Sequence, residues 1–188
     1  MSTQKKVQML GIESSCDETA VALVSDKGRV KVNLVSSQCN LHAQFGGVVP
    51  EVAARIHIQA CLPMIEQALA TSGTGWEDIQ AIAVTQGPGL VGCLLVGLET
   101  AKALAWLHDK PLVTVNHLAG HLYANRLQPA TGWHLLIEKG VMKPTLPLKP
   151  NGDQVPGDLV VDCPPYPHMG LIVSGGHTAL VRVSSPGE

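Results

Sequence analysis

Hydrophobic residues follow a strand-like spacing in the first part of the chain. Three short apolar runs occupy residues 7–12, 20–25 and 30–36, and polar turns separate them. Runs of this length that are rich in Val, Leu and Ile predict β-strands. Their close succession predicts a three-stranded meander.

Longer apolar patterns follow the meander. From Pro50 to about Thr71, apolar residues recur every fourth position, which predicts a helix, and proline suits its first turn. A helix is also expected to open at Asn116, because asparagine is a favoured N-cap. Between them the pattern predicts a strand, a helix and a strand, at residues 79–85, 90–107 and 111–115. This order predicts an α/β fold with a mixed sheet flanked by helices.

The alternation of predicted strands and helices stops at residues 128–167. Eight of the 13 prolines lie here, among glycines and polar residues, around a short apolar patch at residues 133–137. This composition predicts a long surface loop, ordered at best in pieces. Residues 170–183 then predict a hairpin with Ser174-Gly175-Gly176 at its tip.

The composition is that of a globular protein. Hydrophobic residues make up 45% of the 188 positions and charged residues 15%, whereas disordered chains show the opposite balance. The five cysteines are widely spaced and form no C-x-x-C pair, which predicts reduced thiols in a cytoplasmic protein. We expect neither a signal peptide nor a membrane-spanning segment.

The charge distribution bears on nucleic-acid binding. The formal net charge is −2, and Lys and Arg do not cluster. Contacts to phosphates provide most of a protein's affinity for nucleic acid, so a chain that binds it alone normally has a basic patch. If the substrate is RNA, part of the basic surface must therefore lie elsewhere.

The segment His117-Leu118-Ala119-Gly120-His121 carries the sharpest candidate chemistry. Histidines at positions i and i+4 of a helix lie on one face, so both imidazoles can reach one metal ion. An accidental pair is a real alternative in a chain with eight histidines. The segment is not a metalloprotease motif, because Leu118 stands where H-E-x-x-H has its glutamate. A metal here would need a third ligand from elsewhere in the protein.

Two further sequence features are weaker indications of a functional site. Gly87-Pro88-Gly89 and Ser174-Gly175-Gly176 could bring bare backbone N–H groups close to an anion, although such glycines more often only make turns. The acidic loop of residues 13–19 contains Asp17 and Glu18, which could orient a metal-bound phosphate or act as a base. A solvated hairpin turn is the alternative for that loop.

Five motifs in this order resemble the TsaD/OSGEP family, whose members were formerly called O-sialoglycoprotein endopeptidases. The resemblance covers nearly the whole chain except the proline-rich insert, and five motifs in register make it very specific. The motifs are G-I-E-S-S-C-D-E-T (11–19), F-G-G-V-V-P-E (45–51), Q-G-P-G-L-V-G (86–92), N-H-L-A-G-H-L (116–122) and V-S-G-G-H-T (173–178).

The resemblance implies an ASKHA (actin/Hsp70-like) fold of two similar lobes with the active site between them. It implies transfer of the threonylcarbamoyl group from threonylcarbamoyl-AMP to N6 of the adenosine beside the tRNA anticodon. By motif match, His117 and His121 would bind one divalent metal ion, iron or zinc, and Glu18 would be a catalytic residue near the reacting centre. The adenylate would contact the following residues: Ile172, Val173, Ser174, Gly175 and Gly176.

The resemblance is closer to the bacterial branch, because archaeal and eukaryotic relatives tend to have Tyr at the position of Ile172. Family members are roughly twice as long as this chain. We therefore expect residues 1–188 to form the first lobe, with 128–167 as an insert loop and the second lobe absent. An aspartate that completes the metal site would be in that second lobe, so we expect this chain alone to be inactive.

The family's pathway implies partners and one competing interpretation. Partners would be tRNA and TsaB-like and TsaE-like proteins. The main alternative is a non-catalytic, TsaB-like scaffold lobe, but such paralogues lack the H-x-x-x-H segment. A protease fails on the chemistry above, and a small-molecule kinase of the same fold leaves the paired histidines unexplained.

Overall fold

The computed structural model of this chain describes residues 8–26, 28–124, 127–129, 134–138, 141–144, 166–173 and 178–185. The helices are α1 (Cys39–His42), α2 (Pro50–Ser72), α3 (Val91–Leu107) and α4 (His117–Ala124), with 3-10 turns at Ala43–Phe45 and Trp76–Asp78. The first five strands are β1 (Gln8–Glu13), β2 (Glu18–Ser25), β3 (Arg29–Ser37), β4 (Ile79–Gly87) and β5 (Leu112–Asn116). The remaining strands are β6 (Gln128–Pro129), β7 (His134–Glu138), β8 (Val141–Pro144), β9 (His168–Val173) and β10 (Thr178–Val183).

The main sheet has the order β5-β4-β1-β2-β3-β7-β8, with β6 also paired to β3. β1, β2 and β3 form the predicted antiparallel meander. β4 lies parallel to β1, and β5 lies parallel to β4. The predicted α/β fold with a mixed sheet and packed helices is thus confirmed. The carboxyl ends of β1, β4 and β5 meet at one edge of this sheet.

Alternate residues of the central strands build the core on one face of the sheet. Because side chains in a strand point to opposite faces in turn, one apolar set covers one face. α2 and α3 pack on that face, and their burial of apolar surface stabilises the fold. The core residues of these strands are Leu10, Ile12, Val21, Leu23, Val32, Leu34, Ile79, Ile82 and Val84.

The opposite face of β1 and β4 carries the polar residues of the site. Glu13 directly follows the core residue Ile12, and Thr85 directly follows the core residue Val84. Their side chains therefore lie on the other face, at the edge where the parallel strands end.

Part of the proline-rich region differs from the loop that we expected. β7 pairs in parallel with β3 through the register Asn33–His134 to Val35–Leu136, and β8 pairs antiparallel with β7. The sequence pattern places the apolar patch at 133–137 in a loop, whereas residues 134–138 extend the sheet. The rest of 128–167 lies mostly outside the described residues.

β9 and β10 pair antiparallel and confirm the hairpin predicted for residues 170–183, while residues 174–177 at its tip lie outside the described residues. No helix among the described ranges is long and apolar enough to cross a membrane.

Candidate functional site

The helix with the paired histidines begins directly at the end of a central strand. Asn116 is the last residue of β5, and its Oδ1 accepts hydrogen bonds from the backbone N–H groups of Leu118 (2.9 Å) and Ala119 (3.2 Å). This confirms Asn116 as the N-cap of α4. The cap starts α4 at the carboxyl edge of the sheet, so His117 lies beside the ends of β1 and β4.

His117 and His121 face each other across one helical turn. Their Nε2 atoms are 3.0 Å apart, and their ring planes meet at 80°. Two nitrogen ligands of a tetrahedral zinc ion lie roughly 3.3 Å apart, given Zn–N bonds of about 2.0–2.1 Å. The structure therefore brings the two predicted ligands together in a geometry that suits one metal ion.

A carboxylate lies on the Nδ1 side of the His117 ring, away from His121. Oε2 of Glu13 is 3.2 Å from Nδ1 of His117 and accepts a 2.5 Å hydrogen bond from the Thr85 hydroxyl. Oε1 of Glu13 accepts a 2.5 Å hydrogen bond from the backbone N–H of Ser15. Burial alone would raise the pKa of Glu13, but the hydrogen bonds from Ser15, Thr85 and His117 together outweigh it and lower the pKa below 4.5. Glu13 is thus ionised at neutral pH.

The loop after β1 is fixed by contacts with α3 and with the predicted glycine turn. The Ser14 hydroxyl donates to the Cys93 carbonyl at 2.8 Å, and the Ser15 carbonyl accepts from Leu90 N–H at 2.8 Å. A Cβ atom on Gly89 would lie 2.6 Å from the Ser15 carbonyl oxygen. The turn at residues 87–89 therefore holds the Ser14-Ser15 backbone closely, which only glycine allows at position 89.

A buried histidine holds the same loop from the other side. The side chain of His57 on α2 is fully buried. Its Nε2 donates to the Cys16 carbonyl at 2.9 Å, so its Nδ1 accepts from the Thr19 hydroxyl at 2.7 Å. Burial lowers the pKa of His57 below 6.5, which keeps the ring neutral at physiological pH.

Glu18, the predicted catalytic residue, makes no described contact with the histidine pair. It is the first residue of β2 and is exposed. Within residues 8–124 apart from Lys27, no hydrogen bond or ion pair joins Glu18 to His117 or His121. Its catalytic role stays a prediction, and the carboxylate beside His117 is Glu13.

The residues predicted to contact the adenylate are described only in part. Ile172 is buried in β9, and Val173 is the last residue of that strand. Ser174, Gly175 and Gly176 lie outside the described residues. β9 runs beside α4, since a Cβ atom on Gly170 would lie 2.5 Å from a methyl group of Leu122. The described part of this stretch is thus next to the histidine helix.

Our sequence analysis did not single out Glu13, Ser15, Thr85 or His57. A usable signal for two of them exists, because parallel strands place their carboxyl ends at one edge of a sheet. Glu13 ends β1 and Thr85 lies near the end of β4, on the same edge as His117. No comparable feature of the sequence points to His57, because it lies on the buried face of α2 among residues that only pack in the core.

The donor set fits a metal ion only in part. Two imidazoles and a supporting carboxylate match common zinc and iron sites. Among the described residues, however, no group of three His, Cys, Asp or Glu side chains could hold a metal ion. A metal ion bound by the two histidines would need a further ligand from outside this set.

Fold and site together define an α/β lobe with a paired-histidine site at the carboxyl edge of its sheet. The family model for TsaD, described as tRNA N6-adenosine threonylcarbamoyltransferase, matches residues 29–137. This chain belongs to the TsaD family, which confirms the resemblance found in the sequence.

Individual relatives agree with the family match. The chain is 44% identical to the tRNA N6-adenosine threonylcarbamoyltransferase of Bacillus subtilis over all of its own length and 45% of that protein. It is 46% identical to the protein of the same name from Thermomicrobium roseum, over 96% of this chain and 42% of that protein. Both are bacterial, as predicted. The chain spans less than half the length of these relatives.

YeaZ from Pseudomonas aeruginosa superposes with a TM-score of 0.48 at 21% identity, covering 74% of this chain and 66% of that chain.

Proposed function

We propose that this chain forms the metal-binding lobe of an enzyme that transfers threonylcarbamoyl from threonylcarbamoyl-AMP to N6 of the adenosine next to the tRNA anticodon. The observation that carries the proposal is the pair of Nε2 atoms of His117 and His121, which are 3.0 Å apart at the carboxyl edge of the sheet. Membership of the TsaD family supports the same activity.

The transfer exchanges one bond at the carbamoyl carbon for another. N6 of the adenosine bonds to that carbon, the bond from the carbon to the phosphate oxygen breaks, and AMP leaves with the electron pair. N6 loses a proton in the process. One divalent ion, iron or zinc, held by His117 and His121, would polarise the carbamoyl or phosphate oxygens when bound.

The protein's own residues would position the reacting groups. Residues Ile172 to Gly176 would hold the adenylate, and the packing of β9 against α4 supports their closeness to the histidines. Glu18 would act near the reacting centre as an acidic catalytic residue. Its exposure at the start of β2 leaves the carboxylate accessible to a substrate.

Partner proteins and tRNA would complete the system in the cytoplasm. A net charge of −2 supports the need for basic surface elsewhere, provided by TsaB-like and TsaE-like partners or by further chain. Exposed apolar side chains on α2 and α3 support docking of a TsaB-like partner on these helices. These side chains are Ile58 and Leu62 on α2 and Val91 and Leu95 on α3.

A non-catalytic scaffold lobe of the TsaB type is the second candidate. Scaffold lobes of that type lack the H-x-x-x-H segment, whereas here its histidines converge and are backed by a carboxylate. This geometry favours the enzyme.

The test uses a family-length protein, meaning this chain extended to the length of its relatives. With threonylcarbamoyl-AMP, tRNA and the partner proteins, the family-length protein should form the modified adenosine and release AMP. The His121→Ala variant should lose at least 100-fold of this activity. Equal activity of the two proteins would contradict the proposal, and we expect the 188-residue chain alone to show no turnover.

A further inference from the structure

Glu13 is the only carboxylate within hydrogen-bond distance of the histidine pair among the described residues, and it contacts one ring nitrogen alone. Its Oε2 is 3.2 Å from Nδ1 of His117, on the side of the ring away from His121. A carboxylate can only accept from a ring N–H, so this contact places the proton of a neutral His117 on Nδ1. Nε2 of His117 then presents its lone pair towards His121.

The position of Glu13 is itself fixed. Thr85 donates to Oε2 and the Ser15 backbone donates to Oε1, each at 2.5 Å, so both carboxylate oxygens are held. These donors come from β4 and from the loop after β1, which the core and α3 hold in place. A carboxylate that is held at both oxygens is well placed to orient an imidazole.

Ser15 adds a second contact to the same nitrogen. Its Oγ is 3.2 Å from Nδ1 of His117, so the hydroxyl oxygen can share the Nδ1 proton with Glu13. Nothing comparable is found at His121, whose only hydrogen-bond contact within the described part of the chain is with His117. Among the described residues the two histidines therefore differ: Glu13 and Ser15 contact Nδ1 of His117, whereas His121 has a hydrogen-bond contact with the His117 ring alone.

We propose that Glu13 is a positioning residue, which fixes the Nδ1–H tautomer and the ring orientation of His117 so that Nε2 binds the metal ion. This inference rests on the proposed function in one respect, namely that Nε2 binds a metal ion. The tautomer of His117 follows from contacts within the chain alone. Ligating histidines in proteins commonly donate their second ring N–H to a carboxylate, which also raises their basicity as ligands.

The tautomer of His117 tests the inference without any metal. In the 188-residue chain labelled with ¹⁵N-histidine, the His117 signals are identified by their loss in His117→Ala. The wild type should show a protonated Nδ1 and an unprotonated Nε2. Glu13→Gln should populate the Nε2–H tautomer, since a neutral amide no longer requires a donor at Nδ1.

Thr85→Val is the matched control, because it removes one hydrogen bond to Glu13 and keeps the carboxylate. This variant should retain the Nδ1–H tautomer. A wild-type ring protonated on Nε2 overturns the inference, and so does an unchanged tautomer in a folded Glu13→Gln protein. A wild-type ring protonated on Nε2 overturns the inference whether or not Glu13→Gln folds.

Zn²⁺ titration of the family-length protein separates this inference from the proposed function. Glu13→Gln should weaken Zn²⁺ binding roughly 10–100-fold, the usual effect of losing such a partner. If the wild type binds Zn²⁺ through His117 and Glu13→Gln binds it equally well, the positioning role fails alone. If the wild type binds no Zn²⁺ but shows the Nδ1–H tautomer controlled by Glu13, the metal function fails and the orientation stands.

Discussion

His57 of α2 and Thr19 of β2 are joined by a 2.7 Å hydrogen bond in the interior of the protein. The same ring donates to the Cys16 carbonyl, so one side chain links α2, β2 and the loop that leads from Glu13 to Glu18. The loop residues that carry the candidate chemistry thus depend on a histidine that takes no part in it.

Replacement of His57 should destabilise the fold. His57→Ala leaves the Cys16 carbonyl and the Thr19 hydroxyl without their partner and opens a cavity, each of which costs free energy. We expect the free energy of unfolding to fall by about 2–4 kcal/mol in urea denaturation. Gln59→Ala, at an exposed position of the same helix, is the control and should change it by less than about 0.5 kcal/mol. Equal effects of the two substitutions would contradict the structural role.

The stability should depend on pH through the same residue. The pKa of His57 is lower in the folded protein than the value of about 6.5 in the unfolded chain, because burial disfavours the charged ring. Between these two pKa values the unfolded chain binds more protons, so acid favours unfolding. The contribution is complete above pH 6.5 and is lost as the pH falls towards the folded pKa.

Urea unfolding at steps from pH 7.5 to pH 5 measures this dependence. His57→Gln should show a smaller loss of stability over the window below pH 6.5 than the wild type. Glu13 does not account for the window, since its lowered pKa affects stability only as the pH falls below about 4.5. An identical pH dependence in His57→Gln and the wild type would show that His57 is not the group responsible.

Gly89 should tolerate no side chain. A Cβ atom there would meet the Ser15 backbone at 2.6 Å, and backbone cannot move aside as a flexible side chain can. Gly89→Ala should therefore lower the free energy of unfolding by about 1–3 kcal/mol and displace the Ser15 N–H from Glu13. Gly47→Ala serves as the control, because its Cβ position is open. Thermal unfolding of both variants is the measurement, and equal melting temperatures would refute the close approach at Gly89.

An element of the fold or site can be predicted from the sequence when the residues that determine it are close together in the chain. The meander, α2, α3 and the Asn116 cap follow from local patterns, since apolar spacing and capping act over a few residues. The contact of Glu13 with His117 joins positions 104 residues apart and depends on the parallel register of β1, β4 and β5. No local pattern encodes that register. The strand β7 was not predicted for a related reason: its apolar patch is short, and its partner β3 is about 100 residues away in the chain.

Binding of tRNA by this chain alone should be weak. The net charge of −2 without a basic cluster provides few phosphate contacts, and the few that form should be screened by salt. Fluorescence anisotropy with labelled tRNA should show weak binding that falls further between about 50 and 200 mM salt. Nanomolar affinity at physiological salt would contradict the charge argument.

Metal content tests the central claim most directly. The 188-residue chain and the family-length protein are purified under the same conditions, and bound metal is measured by mass spectrometry, each with and without His117→Ala. His108→Ala is the control, because His108 stacks on Trp76 away from the pair. We predict about one metal ion per family-length chain, little in the short chain, and loss of the metal in His117→Ala but not in His108→Ala. An unchanged metal content in His117→Ala would remove the histidine pair from the metal site and contradict the account.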